Sequence, residues 1–171
     1  RDDSYNNPGR PHVVKNQYDK YVLYTNKKNN QLLLLSDGAS PEGNMPYLSL
    51  YDITKKKNTI LWRCKAPYYE TISRIKDPVK LEIITARQSI TEPVNFFIRQ
   101  IKSNKVKQLT NFPNPYPSMK GVSKELISYN REEGVELYAT VYLPAGYSQH
   151  NDGRLTVIMW AYPREYKSAS V

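Results

Sequence analysis

Residues 50–61 read LYDITKKKNTIL, and residues 98–109 read IRQIKSNKVKQL. Each stretch places an apolar run, a turn rich in Lys, Ser or Asn, and a second run in the same order, and Ile53 and Ile101 are 48 residues apart. Four short strands in every unit of about 40–50 residues are typical of β-propeller blades, so some 110 residues would hold roughly two blades. Any two β-hairpins share such a pattern, so two unrelated hairpins remain an alternative.

The first two thirds of the sequence consist of short apolar or alternating runs. They are residues 21–25, 32–36, 47–53, 59–63, 70–75, 81–87, 94–101 and 106–109. Turn-forming residues separate the runs, and no sustained 3.6-residue period is present. Because Tyr, Val, Ile and Thr dominate the runs, we predict a mostly β fold. If the strands form propeller blades, the propeller is incomplete, since propellers need at least four blades.

The sequence also predicts a domain boundary. Residues 1–17 are polar and rich in Asn and Pro, so we predict a loop or a disordered terminus there. The stretch NFPNPYP at 111–117 carries three prolines within five residues, a spacing that forbids ladder pairing and stiffens the chain. We therefore predict a hinge between two domains at residues 111–117, with a peptide ligand for an aromatic groove as the alternative.

A different pattern follows the crossover. Residues 124–130 predict one strand, and Gly134 opens a strict alternation of apolar and polar residues up to Leu143. The alternation predicts a half-buried strand, antiparallel to its predecessor. Residues 155–160 form an apolar run, which is typical of a central strand covered on both faces.

The formal net charge of +9 arises in residues 1–112, which hold 19 basic and 10 acidic side chains. The lysines cluster between apolar runs, at 27–28, 55–57 and 102–105, where turns have to be solvated. No RNA-binding aromatic motif accompanies them, so the pattern disfavours nucleic acid as a partner. Aromatic residues at 12% exclude a disordered chain, and no apolar run approaches the roughly 18 residues of a membrane span.

The sequence contains no complete catalytic motif, since G-x-S-x-G, H-E-x-x-H, the P-loop and G-x-G-x-x-G are all missing. The single cysteine, Cys64, excludes a disulfide framework and a Cys-based zinc site, and it fits a core position better than a nucleophile. Tyr162 follows the apolar run 155–160, at the predicted carboxyl edge of a sheet where α/β folds bind ligands. Its hydroxyl either donates to a developing oxyanion or packs a loop.

Four segments form a recognisable set: GASPEGN at 38–44, LTNFPNPYP at 109–117, YLPAGY at 142–147 and WAYPREYKS at 160–168. Together they resemble the prolyl oligopeptidase family of serine peptidases, and most of all its glutamyl endopeptidase branch. The similarity runs from about Gly38 to Ser168 and so covers most of the chain.

The resemblance implies the last blades of a β-propeller in residues 18–112, a Pro-rich crossover in residues 113–123 and the first strands of a truncated α/β-hydrolase domain in residues 124–171. It implies that the parent protein hydrolyses peptide substrates, with a preference for cleavage after Glu. The Ser-Asp-His triad would lie beyond this chain, so we expect the chain alone to be inactive. Tyr162 matches the oxyanion donor of the family, while Arg164 and Lys167 either bind an acidic substrate or are solvated loop charges.

The resemblance implies no metal or organic cofactor, and export of bacterial relatives favours a periplasmic or secreted location. Open sheet edges and apolar faces predict that the remainder of the same polypeptide holds this segment, or that it forms an oligomer. The alternative is a non-catalytic β-rich binding or interaction module with a basic face.

Overall fold

The computed structural model describes residues 4–161, which are mostly β, as the sequence predicts. In chain order, the strands of this range are β1 (Arg10–Pro11), β2 (Val13–Lys15), β3 (Tyr21–Leu23), β4 (Gln31–Ser36), β5 (Tyr47–Asp52), β6 (Lys57–Arg63), β7 (Tyr69–Asp77), β8 (Glu82–Gln88), β9 (Asn95–Gln100), β10 (Lys105–Gln108), β11 (Ser123–Asn130) and β12 (Glu136–Leu143). A 3₁₀ turn at Pro117–Met119 and the helix α1 (Gln149–Asp152) complete these elements. No helix within residues 4–161 is long and apolar enough to cross a membrane.

The described residues fall into two compact units, residues 4–113 and residues 114–161, and the division lies inside the proline-rich segment. The first unit holds two four-stranded antiparallel sheets. Sheet I has the strand order β1-β4-β5-β6, and sheet II has the order β7-β8-β9-β10. A separate two-stranded ribbon pairs β2 with β3.

The repeat seen in the sequence corresponds to matching strands of the two sheets. β9 begins 48 residues after β5 begins and ends 48 residues after β5 ends. The turns that follow also match, because Lys56 (φ 50°) and Asn104 (φ 54°) both take the left-handed backbone conformation. The two sheets therefore repeat one strand–turn–strand unit, including the geometry of its turn.

One apolar core joins the two sheets. Leu33 of β4 and Leu48 of β5 pack with Ile75 of β7 and Ile83 of β8, and both Leu48 and Ile83 are fully buried. Full burial of such a side chain stabilises a fold by about 1.5–3 kcal/mol. This cluster therefore holds sheet I against sheet II.

In the second unit, β11 and β12 form an antiparallel hairpin that runs from Ser123 opposite Leu143 to Asn130 opposite Glu136. The N–H of Gly134 donates to the carbonyl of Arg131 at 2.9 Å and closes the turn. The alternation predicted from the sequence is confirmed, because alternate residues of β12 are exposed and half-buried along its whole length.

Two segments differ from the sequence prediction. Residues 1–17, predicted as a loop or disordered, contain β1, which pairs with β4, and β2, which pairs with β3. Residues 155–160, predicted as a central strand, have no regular structure, and Ile158 is 96% exposed. A strand forms only where a neighbour takes up its backbone hydrogen bonds, and no strand within residues 4–161 pairs with this run.

Candidate functional site

The three residues that the sequence singles out for the site are Tyr162, Arg164 and Lys167, and all three lie outside the described residues. The described chain ends at Ala161, one residue before the first of them. The role of Tyr162 therefore stays a prediction from the sequence. Other polar residues converge within the first unit.

A buried charged cluster occupies the inner face of sheet II. Arg99 of β9 donates from Nε to Glu70 Oε1 at 2.6 Å and from Nη2 to Glu70 Oε2 at 2.7 Å. The hydroxyl of Thr85, on the intervening strand β8, also donates to Glu70 Oε1. Two parallel bonds between a guanidinium and a carboxylate fix both orientation and distance, so this pair ties β7 to β9 across β8.

The same cluster reaches towards sheet I. The guanidinium of Arg99 lies 5.7 Å from the ring centroid of Trp62 in β6. The N–H of Glu70 donates to Cys64 Sγ at 3.1 Å, and this thiol donates to the carbonyl of Tyr68 at 3.1 Å. Cys64 is buried, so its sulfur has a structural role in the connection between the sheets.

A second arginine lies on the same face of sheet II. The guanidinium of Arg87 is 4.1 Å from the ring centroid of Tyr68 and 3.9 Å from that of Phe97, so two aromatic rings hold it. Its Nη2 is 3.6 Å from Glu92 Oε2, and the hydroxyl of Tyr68 donates to Glu92 Oε1 at 3.3 Å. We call these four residues, Arg87, Tyr68, Phe97 and Glu92, the Arg87 site.

Asn95 fixes the segment that leaves the first unit. Its Oδ1 accepts hydrogen bonds from the Thr110 hydroxyl at 2.8 Å and from the Phe112 N–H at 2.7 Å. Its Nδ2 donates to the carbonyl of Phe112 at 3.3 Å. Asn95 is buried, so this side chain positions the chain immediately before its proline-rich segment.

The opposite face of sheet II carries an open depression of about 630 Å³. Its lining includes Lys76, Lys105 and Lys107, the apolar side chains of Ile98 and Leu109, and Glu82, which pairs with Lys76 at 3.2 Å. These lysines are part of the positive excess of residues 1–112. Three lysines against one glutamate leave the depression with a positive excess, so it fits the basic face of the alternative function.

Neither histidine of the chain belongs to the polar clusters described above. Burial lowers the pKa of His12, and the centroid of its ring lies 5.7 Å from that of Tyr24. A histidine with a lowered pKa is neutral at pH 7, so His12 packs as an uncharged ring. His150 lies in α1. Residues 4–161 contain no group of three or more His, Cys, Asp or Glu side chains that could hold a metal ion.

Sequence reasoning predicted none of the clustered charges in sheet II, although a signal for them exists. Thr85 and Arg87 continue the two-residue period that begins at the buried Ile83, and Arg99 does the same after Phe97. A polar residue in phase with buried apolar residues of a strand faces the core. The two-residue period does not predict which carboxylate each arginine binds.

Two curated plant proteins are similar to this chain over nearly its whole length. No protein-family model matches it. It is 38% identical to a protein of Oryza sativa subsp. japonica named probable glutamyl endopeptidase, chloroplastic, over 98% of this chain and 19% of that protein. The protein of the same name from Arabidopsis thaliana is 37% identical over the same shares. The chain thus spans about a fifth of the length of these curated relatives.

Among solved structures, two of the isopeptidase AtxE2 are similar to this chain over 80% of its length and 22% of theirs. One is a variant with astexin3-dC4 bound, with 19% identity and a TM-score of 0.41. The other is the apo form, with 17% identity and a TM-score of 0.42.

Proposed function

We propose that this chain is a segment of a serine peptidase of the prolyl oligopeptidase family, in the glutamyl endopeptidase branch. The observation that carries the proposal is the 38% identity to a protein named probable glutamyl endopeptidase, which extends over 98% of the chain. Identity at this level over nearly every residue indicates common ancestry rather than one shared motif.

In this proposal, residues 18–112 are the last blades of a β-propeller, with sheets I and II as two successive blades. The matching positions of β5 and β9, and of the left-handed residues Lys56 and Asn104 after them, support a repeated unit. Residues 113–123 are the crossover, and residues 124–171 begin an α/β-hydrolase domain. The division of the described chain between residues 113 and 114 fits this arrangement.

The proposed chemistry is acyl transfer to a serine. The serine Oγ of a Ser-Asp-His triad outside this chain attacks the peptide carbonyl, while the histidine takes the serine proton and then gives it to the leaving amine. Tyr162 donates a hydrogen bond from its hydroxyl to the oxyanion of the tetrahedral intermediate. Arg164 and Lys167 lie close to Tyr162 in sequence and would favour an acidic side chain of the peptide, which fits cleavage after Glu.

The test of this role is the variant Tyr162→Phe in the full-length protein. Loss of one oxyanion donor lowers kcat by about 10²–10³ while leaving substrate binding nearly unchanged. Tyr18→Phe is the matched control, because Tyr18 is 72% exposed in the first unit. A Tyr162→Phe enzyme with the kcat of the Tyr18→Phe enzyme would remove Tyr162 from the mechanism.

The second candidate function is a non-catalytic binding module, which the basic depression on sheet II favours. It predicts binding to a polyanion such as heparin with a steep salt dependence. Replacement of Lys105 and Lys107 by Gln would then weaken binding and reduce that dependence. Binding that is unchanged by these substitutions would exclude the depression as the binding face.

A further inference from the structure

The inner face of sheet II carries an imbalance of charge. Arg87 and Arg99 both lie on it, and the register places Glu70 directly opposite Arg87. Glu70 nevertheless gives both carboxylate oxygens to Arg99. Because both oxygens of Glu70 bind Arg99, Glu70 does not pair with Arg87. A carboxylate that neutralises Arg87 therefore has to come from another residue or from a ligand.

The guanidinium of Arg87 is fixed in position before any ligand arrives. The rings of Tyr68 and Phe97 lie 4.1 Å and 3.9 Å from it. Its Nε is buried, and no described residue accepts a hydrogen bond from it. The side chain is 19% exposed, so one part of a rigid, planar donor remains open to solvent. Stacked arginines of this kind bind carboxylates with little loss of entropy.

The carboxylate of Glu92 forms a long, weak ion pair with the guanidinium of Arg87. The distance from Arg87 Nη2 to Glu92 Oε2 is 3.6 Å, longer than the roughly 2.7–2.9 Å of a charge-assisted hydrogen bond. Glu92 is 50% exposed and lies in the loop 89–94, where the Ser89 hydroxyl accepts the N–H of Glu92 at 3.0 Å. Ion pairs as exposed as this contribute about 1 kcal/mol or less, so a ligand can displace Glu92.

We propose that the Arg87 site binds a carboxylate group of a peptide, and that the side chain of Glu92 occupies the site when no peptide is bound. The ligand carboxylate belongs to an acidic side chain or to a peptide C-terminus, since both offer the same two oxygens to the guanidinium. The Tyr68 hydroxyl, which donates to Glu92 Oε1 in this structure, would donate to the ligand in its place. The proposal does not depend on the peptidase function, because all four residues lie in the first unit and binding needs no hydrolysis.

The experiment is a calorimetric titration of the full chain with three small probes. Acetyl-Glu-amide offers a side-chain carboxylate alone, acetyl-Ala-Ala offers a C-terminal carboxylate alone, and acetyl-Gln-amide offers neither. We expect at least one of the first two to bind and the Gln probe to bind much more weakly. The better ligand of the first two identifies the source of the carboxylate.

Three variants assign the binding to the site. Arg87→Lys keeps the charge but loses the planar fork, and we expect it to weaken binding about tenfold or more. Glu92→Gln removes the internal competitor, and we expect it to strengthen binding about two- to fivefold. Glu133→Gln alters another exposed Arg–Glu pair, Arg131 with Glu133, and should leave binding unchanged.

Three results of these titrations would contradict the proposal. Equal binding of all three probes, or binding by Arg87→Lys as tight as by the parent, would overturn the proposal. So would an affinity of Glu92→Gln no higher than that of the parent. This last comparison remains decisive if Arg87→Lys fails to fold, because Glu92 lies in a half-exposed loop.

Discussion

The buried pair of Glu70 and Arg99 gives the sharpest test of how sheet II is held together. In the variant Arg99→Met, Glu70 keeps the Thr85 hydroxyl as a donor but loses both bonds to the guanidinium. The Glu70 side chain is only 4% exposed, so water cannot replace what is lost. Removal of one partner from a buried ion pair destabilises a protein by about 3–5 kcal/mol.

Urea unfolding followed by circular dichroism measures this loss. With a slope of about 1–3 kcal/mol per molar urea, the midpoint should fall by about 1 M or more. The matched control is Arg131→Met, because Arg131 pairs with Glu133 in a turn where both side chains are more than half exposed. That variant should leave the midpoint nearly unchanged.

The double variant Glu70→Leu/Arg99→Met separates the charge from the packing. It removes both charges from the buried site, so it should recover most of the stability that Arg99→Met loses. A loss for Arg99→Met no larger than that for Arg131→Met would refute the reasoning. So would a double variant that is less stable than Arg99→Met alone.

Three further predictions concern the core, a turn and the acid limb of the stability curve. Leu48→Ala should cost about 2–5 kcal/mol in urea unfolding, because Leu48 is fully buried between the sheets, whereas Leu126→Ala at a 72% exposed position should cost little. Gly38→Ala should destabilise the protein more than Gly43→Ala. Both glycines have positive φ, but a Cβ at residue 38 would clash with the Met45 carbonyl, whereas one at residue 43 meets open space. Thermal melts of the two variants test this. Backbone N–H groups of Lys80 and Val79 lower the pKa of Asp77 from 3.8. The stability this provides is therefore fully present above pH 3.8 and is lost as the pH falls through the lowered pKa, so Asp77→Asn should flatten the stability curve below pH 3.8.

The strands of both units were predictable because their information is local. Runs of β-formers between turn residues located β4 to β12 to within a few residues, and the alternation in β12 also gave its exposed face. β1 was not predicted, because Arg10 and Pro11 show no apolar pattern. These two residues form a strand because they pair with β4. The run 155–160 shows the reverse case, since its apolar residues favour a strand for which no described neighbour supplies the hydrogen bonds.

The charged sites were not predictable in the same way. The two-residue period places Arg87 and Arg99 on the inner face of sheet II, in phase with Ile83 and Phe97. Glu70 lies five residues before the buried Ile75, and the two share this face only because of the register shift between Ile72 and Arg74. Strand pairing would not have identified the partner either, since Glu70 lies opposite Arg87 in the register but binds Arg99. Glu70 and Arg99 are 29 residues apart, so only the assembled sheet brings them together.

The proposed peptidase function is tested most directly by incubating the full-length protein with two blocked peptides that differ only in Glu or Gln at one position. A serine-reactive fluorophosphonate is added to half of the samples. The account predicts cleavage after Glu, much slower cleavage after Gln, and loss of both activities in the treated samples. Folded protein that cleaves neither peptide, or that cleaves them equally well with and without the fluorophosphonate, would contradict it.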